Sequence, residues 1–290
     1  MKLLTKSITL LVTLSFIICT SAFVPLSILS KPVQTGADSL KALKEKYHLS
    51  LSAHRGSSII APENTLATFK TVLAMGVDFI EIDVRTTKDG QLAILHDGTL
   101  NRTTTGEGPM KNFTLAELRQ LSAGKGYGEQ YKEERIPTLQ ETTQLLAQWN
   151  KTHKHQTNLY VDCKDVAPEP LVKELKASKL LKDAVFYGSD DFLLALKKVY
   201  PKAKLMPSLN KPGELEEKVA KLNPYAFDVR WTILNEQLVA DIHKHKIKVF
   251  SDVLGLLDTP TNYKKATTMG VDLIQTDHVR KVYKTLLESN

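Results

Sequence analysis

From Leu51 to Thr276 the chain repeats one pattern, a short apolar run followed by a stretch with helical spacing. The candidate strands are Leu51–His54, Asp78–Val84, Leu92–His96, Asn158–Lys164, Ala184–Tyr187, Ala203–Pro207, Ala226–Val229, Lys246–Ser251 and Asp272–Thr276. Helical stretches separate them; in Asn64–Met75, for example, Leu66, Phe69, Val72 and Leu73 share one face. Thr114-x-x-Glu117 and Thr138-x-x-Glu141 are capping boxes that open two further helices. Such alternation calls for a parallel sheet with helices outside it. An open doubly wound sheet and a closed barrel both satisfy the pattern. No glycine-rich phosphate fingerprint follows the first strand, which favours the closed form. The expectation is an α/β protein, a single-domain (β/α)8 TIM barrel, and 290 residues can hold one such barrel of about 250.

The N-terminus reads as an export signal over residues 1–22. Lys2 and Lys6 precede a run from Ile8 to Cys19 that is apolar except for Thr9, Thr13 and Ser15, and Thr20-Ser21-Ala22 offers small residues for cleavage. The run is shorter than the roughly 20 residues of a membrane span, although Phe23 to Leu29 leaves an uncleaved anchor open. Residues 23–47, with Pro25, Ser27, Ser30, Pro32 and Gly36 before a lysine-rich run, read as a linker, and 48–290 as the barrel. The protein is thus expected to be exported, whether secreted, periplasmic or associated with the cell envelope. Cleavage would leave Cys163 alone, so no intrachain disulfide is expected and stability falls to the core. The formal charge of +7 suits an anionic substrate or a transient membrane or envelope contact, but it reads first as a solvated lysine-rich surface. No interleaving of arginines with aromatics points to nucleic acid. Oligomeric state has no sequence signature here.

Polar residues at the strand ends carry the chemistry. In a barrel, side chains alternate between interior and helix layer, and active sites gather at the C-terminal strand ends. Glu81 and Asp83 share one face of their strand, opposite Ile80, Ile82 and Val84, and Asp162 and Lys164 repeat that arrangement. His54 and His96 each end an apolar run, and Arg55 follows the first. Charges so placed are costly unless paired or bound to metal. The hard oxygens of Glu81, Asp83 and Asp162 suit one divalent cation, Ca²⁺ or Mg²⁺. The histidines could instead complete a transition-metal site, but the carboxylates suffice without them. A hard cation beside Arg55 and Lys164 is an anion trap of the kind phosphoryl chemistry needs, and two flanking histidines could serve as general acid and base. The His-x-His pairs at 153/155 and 243/245 read as basic surface.

His54-Arg55-Gly56, Pro62-Glu63-Asn64-Thr65, Glu81-Ile82-Asp83-Val84 and Asp89-Gly90 followed by His96-Asp97 resemble, in order and spacing, the signature of the glycerophosphodiester phosphodiesterase family. Leu100 to Thr104, Ile136-Pro137-Thr138-Leu139, Gly270-Val271-Asp272 and Thr276-Asp277 extend the resemblance from about Leu51 to Val279. It implies metal-dependent hydrolysis of a glycerophosphodiester to an alcohol and sn-glycerol 3-phosphate. By that match His54 and His96 are the acid/base pair, Arg55 and Lys164 bind phosphate, Glu81, Asp83 and Asp162 hold the metal, and Glu63 supports substrate or the first loop. Alternatives retained are a phosphodiesterase or cyclising lyase acting on another lipid-derived or envelope-polymer diester, and a non-catalytic phosphate-binding barrel. Two departures stand out. Asp162 occupies a place where the family often has Glu, and Phe250-Ser251-Asp252-Val253 replaces a Trp-Thr-Val-Asn stretch expected to meet the substrate alcohol. Trp231 is the candidate substitute for that aromatic.

Overall fold

The structure is a computed structural model that describes residues 36–288. The expected signal segment and the first part of the expected linker lie outside the described residues. The remainder of that linker is a helix, α1 (Gly36–Tyr47), because Leu40 and Leu43 fall three residues apart and are buried. Its Lys44 also donates to Asp78 at 2.5 Å. The lysine-rich run is therefore the wet face of an amphipathic helix.

The barrel strands are β1 (Ser50–Ala53), β2 (Phe79–Thr86), β4 (Asn158–Cys163), β5 (Val185–Tyr187), β6 (Lys204–Met206), β7 (Ser208–Leu209), β8 (Ala226–Val229), β9 (Lys248–Asp252) and β10 (Leu273–Thr276). They are parallel and ordered β6-β5-β4-β2-β1-β10-β9-β8-β7. Only Pro207 separates β6, paired with β5, from β7, paired with β8. The N–H groups of Tyr225, Asp228 and Arg230 donate to the carbonyls of Leu205, Pro207 and Leu209 at 2.9–3.1 Å, which closes the ring across that proline. The expected barrel is what forms. The helices α2 (Leu66–Met75), α4 (Leu139–Thr152), α5 (Pro168–Ala177), α6 (Asp190–Val199), α7 (Leu215–Leu222), α8 (Glu236–Lys244) and α9 (Pro260–Met269) alternate with the strands. Both capping boxes are present, at Thr114/Glu117 on the short α3 (Leu115–Leu118) and at Thr138/Glu141 on α4.

One expected strand is not part of the barrel. β3 (Leu92–Ile94) pairs antiparallel with β2, Val84 opposite Ile94 and Thr86 opposite Leu92. A turn at residues 87–91, with Gly90 at φ 78°, is far too short for the crossover of about a dozen residues that a parallel neighbour requires. His96 therefore sits on the loop beyond a hairpin rather than at a barrel strand end.

Alternation along the strands builds the interior in layers. Phe79, Tyr160, Val185, Met206, Ala226, Phe250 and Leu273 form an apolar plug. Two residues further along each strand, on the same face, stand Glu81, Asp162, Tyr187, Ser208, Asp228, Asp252 and Gln275. The mouth of the barrel is thus a polar ring laid directly on a hydrophobic floor.

Candidate active site

The loop after β1 is held in an unusual backbone conformation. His54–Gly56 form one 3-10 turn in which Arg55 (φ 50°) and Gly56 (φ 76°) are left-handed, and Ser57 (φ 70°) continues the run. A side chain at Gly56 would run into Thr68 and Phe69 of α2. Left-handed non-glycine residues are strained and persist where surrounding contacts fix them. Here the Arg55 N–H donates to Glu81 Oε2 at 2.7 Å and the Thr68 hydroxyl donates to the Gly56 carbonyl.

Glu81, Asp83 and Asp162 come together as the sequence predicts. One oxygen from each lies within 4.8 Å of the others. Lys164 Nζ donates to Asp162 Oδ2 at 2.5 Å and lies 3.1 Å from Asp83 Oδ1. Asn64 Nδ2 donates to Asp83 Oδ2 at 2.7 Å, and Arg55 Nε lies 3.7 Å from that same oxygen. Burial, with Asp83 and Asp162 alongside, pushes the Glu81 carboxyl well above the ordinary carboxylate range, and burial raises Asp162 against the pull of Lys164. Burial would lower Lys164, but Asp83 and Asp162 outweigh it and hold the ammonium above its usual value. Asn64 Oδ1 is buried and accepts no hydrogen bond, and the buried Asp83 Oδ1 has the Lys164 ammonium as its one partner. Three converging carboxylates, whose oxygens lie within 4.8 Å of one another, fit a hard divalent cation.

Each histidine is oriented by a carboxylate. His54 Nδ1 is 3.0 Å from Asp277 Oδ1, and His96 Nδ1 is 2.7 Å from Asp97 Oδ1. A carboxylate only accepts, so each Nδ1 carries the proton and each Nε2 is left for chemistry. Asp277 is fixed in turn through its N–H, which donates to Asp258 Oδ2 at 3.0 Å. That Asp258 carboxylate also receives the Thr276 and Tyr263 hydroxyls. On the other side Arg102 donates to Asp97 at 2.8 and 2.9 Å and to Glu63 at 2.7 and 2.8 Å. Those contacts with Arg102 hold the Asp97 carboxyl far below its ordinary range, and so ionised. Glu63 also accepts from Arg55 Nη1 at 3.1 Å. One chain of contacts therefore runs His96–Asp97–Arg102–Glu63–Arg55–Glu81. Arg85 clamps the backbone here, its guanidinium donating to the carbonyls of Leu95 and His96.

All eight predicted residues (His54, Arg55, Glu63, Glu81, Asp83, His96, Asp162 and Lys164) thus lie at one end of the barrel. The positioning partners Asp97, Arg102 and Asp277 stood inside the resembling motifs without a role, and Asn64 likewise. Asp258 had no signal in the sequence, since its function depends on a loop packing beneath Thr276. The His-x-His residues lie at the surface as expected, His153 and His243 exposed and His155 and His245 half-buried, and each makes a local contact: His153 stacks on Trp149, His155 bonds the Val77 carbonyl, and His243 and His245 contact Asp272 and Glu216.

The model of the glycerophosphoryl diester phosphodiesterase family matches residues 54–281. A glycerophosphodiester phosphodiesterase of Caldanaerobacter subterraneus is 33% identical over 232 residues, covering 78% of this chain and 92% of its own. A phosphodiesterase of Oleispira antarctica, solved in complex with the product sn-glycerol-3-phosphate, superposes with a TM-score of 0.70 at 29% identity, covering 83% of this chain and 97% of its own. The Agrobacterium tumefaciens glycerophosphodiester phosphodiesterase shares the fold, with a TM-score of 0.73 at 24% identity over 81% of this chain and 99% of its own.

Proposed function

Because this chain belongs to the glycerophosphoryl diester phosphodiesterase family and has that enzyme activity, we propose that it hydrolyses a glycerophosphodiester to an alcohol and sn-glycerol 3-phosphate by acid–base catalysis at His54 and His96. The observation that carries this reading is the convergence of Glu81, Asp83 and Asp162 with Arg55 and Lys164, beside two histidines each oriented through Nδ1. The product bound to the Oleispira relative supports the same outcome.

Glu81, Asp83 and Asp162 would hold one Ca²⁺ or Mg²⁺, which when bound supplies Lewis-acid polarisation and charge neutralisation at phosphorus. Lys164 and Arg55 bind the phosphoryl oxygens and favour the charge that builds on them in the transition state. Water attacks phosphorus and the P–O bond to the alcohol breaks. One histidine takes the proton from the water through Nε2, and the other delivers a proton to the departing oxygen. Glu63 keeps Arg55 in place and couples it to the His96 loop. We further propose export, on the charged and apolar pattern of residues 1–22. Among the described residues no helix is long and apolar enough to cross a membrane.

The test is release of glycerol phosphate from glycerophosphocholine and glycerophosphoethanolamine by the purified protein with Ca²⁺, Mg²⁺ or chelator. Cation-dependent release is expected, falling by about 10²–10⁴-fold in His96→Ala. An undiminished rate in chelator or in that variant would overturn the assignment.

A further inference from the structure

Near its end β2 has a neighbour on each side, β3 along Val84–Thr86 and β4 along Phe79–Val84. β3 ends at Ile94 and β4 at Cys163, and the segments that follow them carry His96 and Lys164. Both segments lean on β2: the Leu95 N–H donates to the Asp83 carbonyl at 3.0 Å, and the Lys164 N–H donates to the Val84 carbonyl at 3.2 Å. Arg85 follows Glu81 and Asp83 on the same face of β2, because strand side chains repeat every two residues. Its guanidinium spans from one segment to the other. Nε donates to the Leu95 and His96 carbonyls at 3.1 Å each, Nη2 donates to the His96 carbonyl at 2.7 Å, and Nη1 donates to Asp165 Oδ2 at 2.7 Å. Asp165 is anchored in turn. Its Oδ1 accepts the Thr86 N–H at 2.9 Å, and its carbonyl accepts the Thr86 hydroxyl at 3.0 Å. Among the described residues no other group donates to the His96 carbonyl.

Asp97 and Arg102 orient the His96 ring, whereas Arg85 fixes the backbone from which that ring projects. The Asp165 side chain is 45% exposed, so the ion pair adds little to stability, and geometry is what it contributes. A planar guanidinium holds two carbonyls and a carboxylate in one fixed arrangement, which the point charge of a lysine does not. We infer that Arg85 is a positioning residue of the reaction, holding the His96 backbone in register with the segment of Asp162 and Lys164, with Asp165 as its anchor. That role rests on the phosphodiesterase reading and adds to it a residue standing just past the Glu81–Val84 motif. Register between a proton-transfer group and a phosphate-binding group matters steeply, since a displacement of about 1 Å costs about 10²-fold in rate.

The test is a double-mutant cycle with His96→Ala, read on glycerophosphocholine and on bis(p-nitrophenyl) phosphate. With His96 in place, Arg85→Gln should lower kcat by about 10²-fold and leave KM within about twofold. In His96→Ala the same substitution should cost no more than about threefold, because a residue that acts through His96 has nothing left to position there. Asp165→Asn, a milder change at an exposed side chain, should lower kcat by about three- to tenfold and lose its effect in His96→Ala likewise. It carries the test if Arg85→Gln does not fold. Arg85→Lys keeps the charge without the fork and should be nearly as slow as Arg85→Gln. Losses that add in full across the cycle, a change in KM alone, full activity in Arg85→Lys, or an unchanged kcat in Arg85→Gln or Asp165→Asn would overturn the role. A wild-type protein inactive on both diesters would defeat the phosphodiesterase reading and this role with it, whereas an active one with additive losses would defeat the role alone.

Discussion

Two arcs of one ring make the most instructive contrast in this molecule. On β2 and β4, Glu81, Asp83 and Asp162 meet Lys164, the Arg55 N–H and the Asn64 amide. On β8 and β9, Asp228 and Asp252 stand over the same apolar floor and receive one amide from Gln275. The backbone treatment is alike: parallel strands, the same alternation, and Glu81, Asp162, Asp228 and Asp252 each two residues above the plug, with Asp83 two further on. What differs is compensation. The first arc combines three carboxylates with fixed cationic and amide donors, which suits a small dication and a phosphoryl group. The second has carboxylates, aromatics and open volume, with the Gln275 amide as its one side-chain donor. Position in the barrel makes both arcs part of the mouth; local charge balance is what divides them.

The most direct way to break that contrast is to neutralise one acid in each arc. Glu81→Gln should lower kcat by about 10³-fold or more and abolish the rise in Tm caused by Ca²⁺ or Mg²⁺, since loss of cation stabilisation is worth several kcal/mol at the transition state. Asp228→Asn should leave hydrolysis of bis(p-nitrophenyl) phosphate within about threefold of wild type. Comparable losses in the two variants would mean that the arcs act as one site.

A smaller effect tests how the first arc is held. Asp277→Asn keeps the shape of the support beneath His54 but replaces an acceptor-only group with one that can also present an amide N–H. It should lower kcat by about 10–10²-fold with little change in KM, a scale intermediate between losing a catalytic group and losing a surface contact. A change in KM alone, with kcat unmoved, would make Asp277 structural.

Much of this was legible in the sequence, and the parts that were not share a cause. Strand–helix alternation gives the barrel because it is a local signal of period, and Glu81 and Asp83 fall on one face because a strand repeats every two residues. Leu92–Ile94 looks like any other strand to a periodicity argument; only the length of the turn before it separates a hairpin from a barrel strand. Lys-rich residues near α1 read as linker because propensity and charge conceal Leu40 and Leu43, whose burial depends on the barrel surface they meet. The histidines were legible through their motifs, whereas Asp258 under Thr276 and Arg102 between Asp97 and Glu63 are joined only in three dimensions. Asp228 was legible as a strand residue, but nothing along the chain brings it to Asp252.

The gentlest probe of the contrast is stability against pH. Burial holds the carboxyls of Asp228 and Asp252 above their ordinary values, aided at Asp228 by the charge of Asp252 and opposed at Asp252 by His54 and the Gln275 amide, and burial does the same for Glu81 and Asp162. In the unfolded chain these groups return to about 3.9–4.3. Between those values and the raised ones the folded state binds more protons than the unfolded. Stability is therefore complete at low pH and declines as pH rises through the folded values. A divalent cation should cancel the share that belongs to Glu81 and Asp162, because it binds their ionised forms in the folded state. The share of the second arc should remain. With saturating Ca²⁺, the fall in Tm from about pH 4.5 to about pH 8 should thus be shallower in Asp228→Asn than in wild type, by about 2–4 °C for each kcal/mol removed. Identical slopes would show that Asp228 ionises freely on folding, and the unbalanced charge of the second arc would then have to be carried by Asp252 alone.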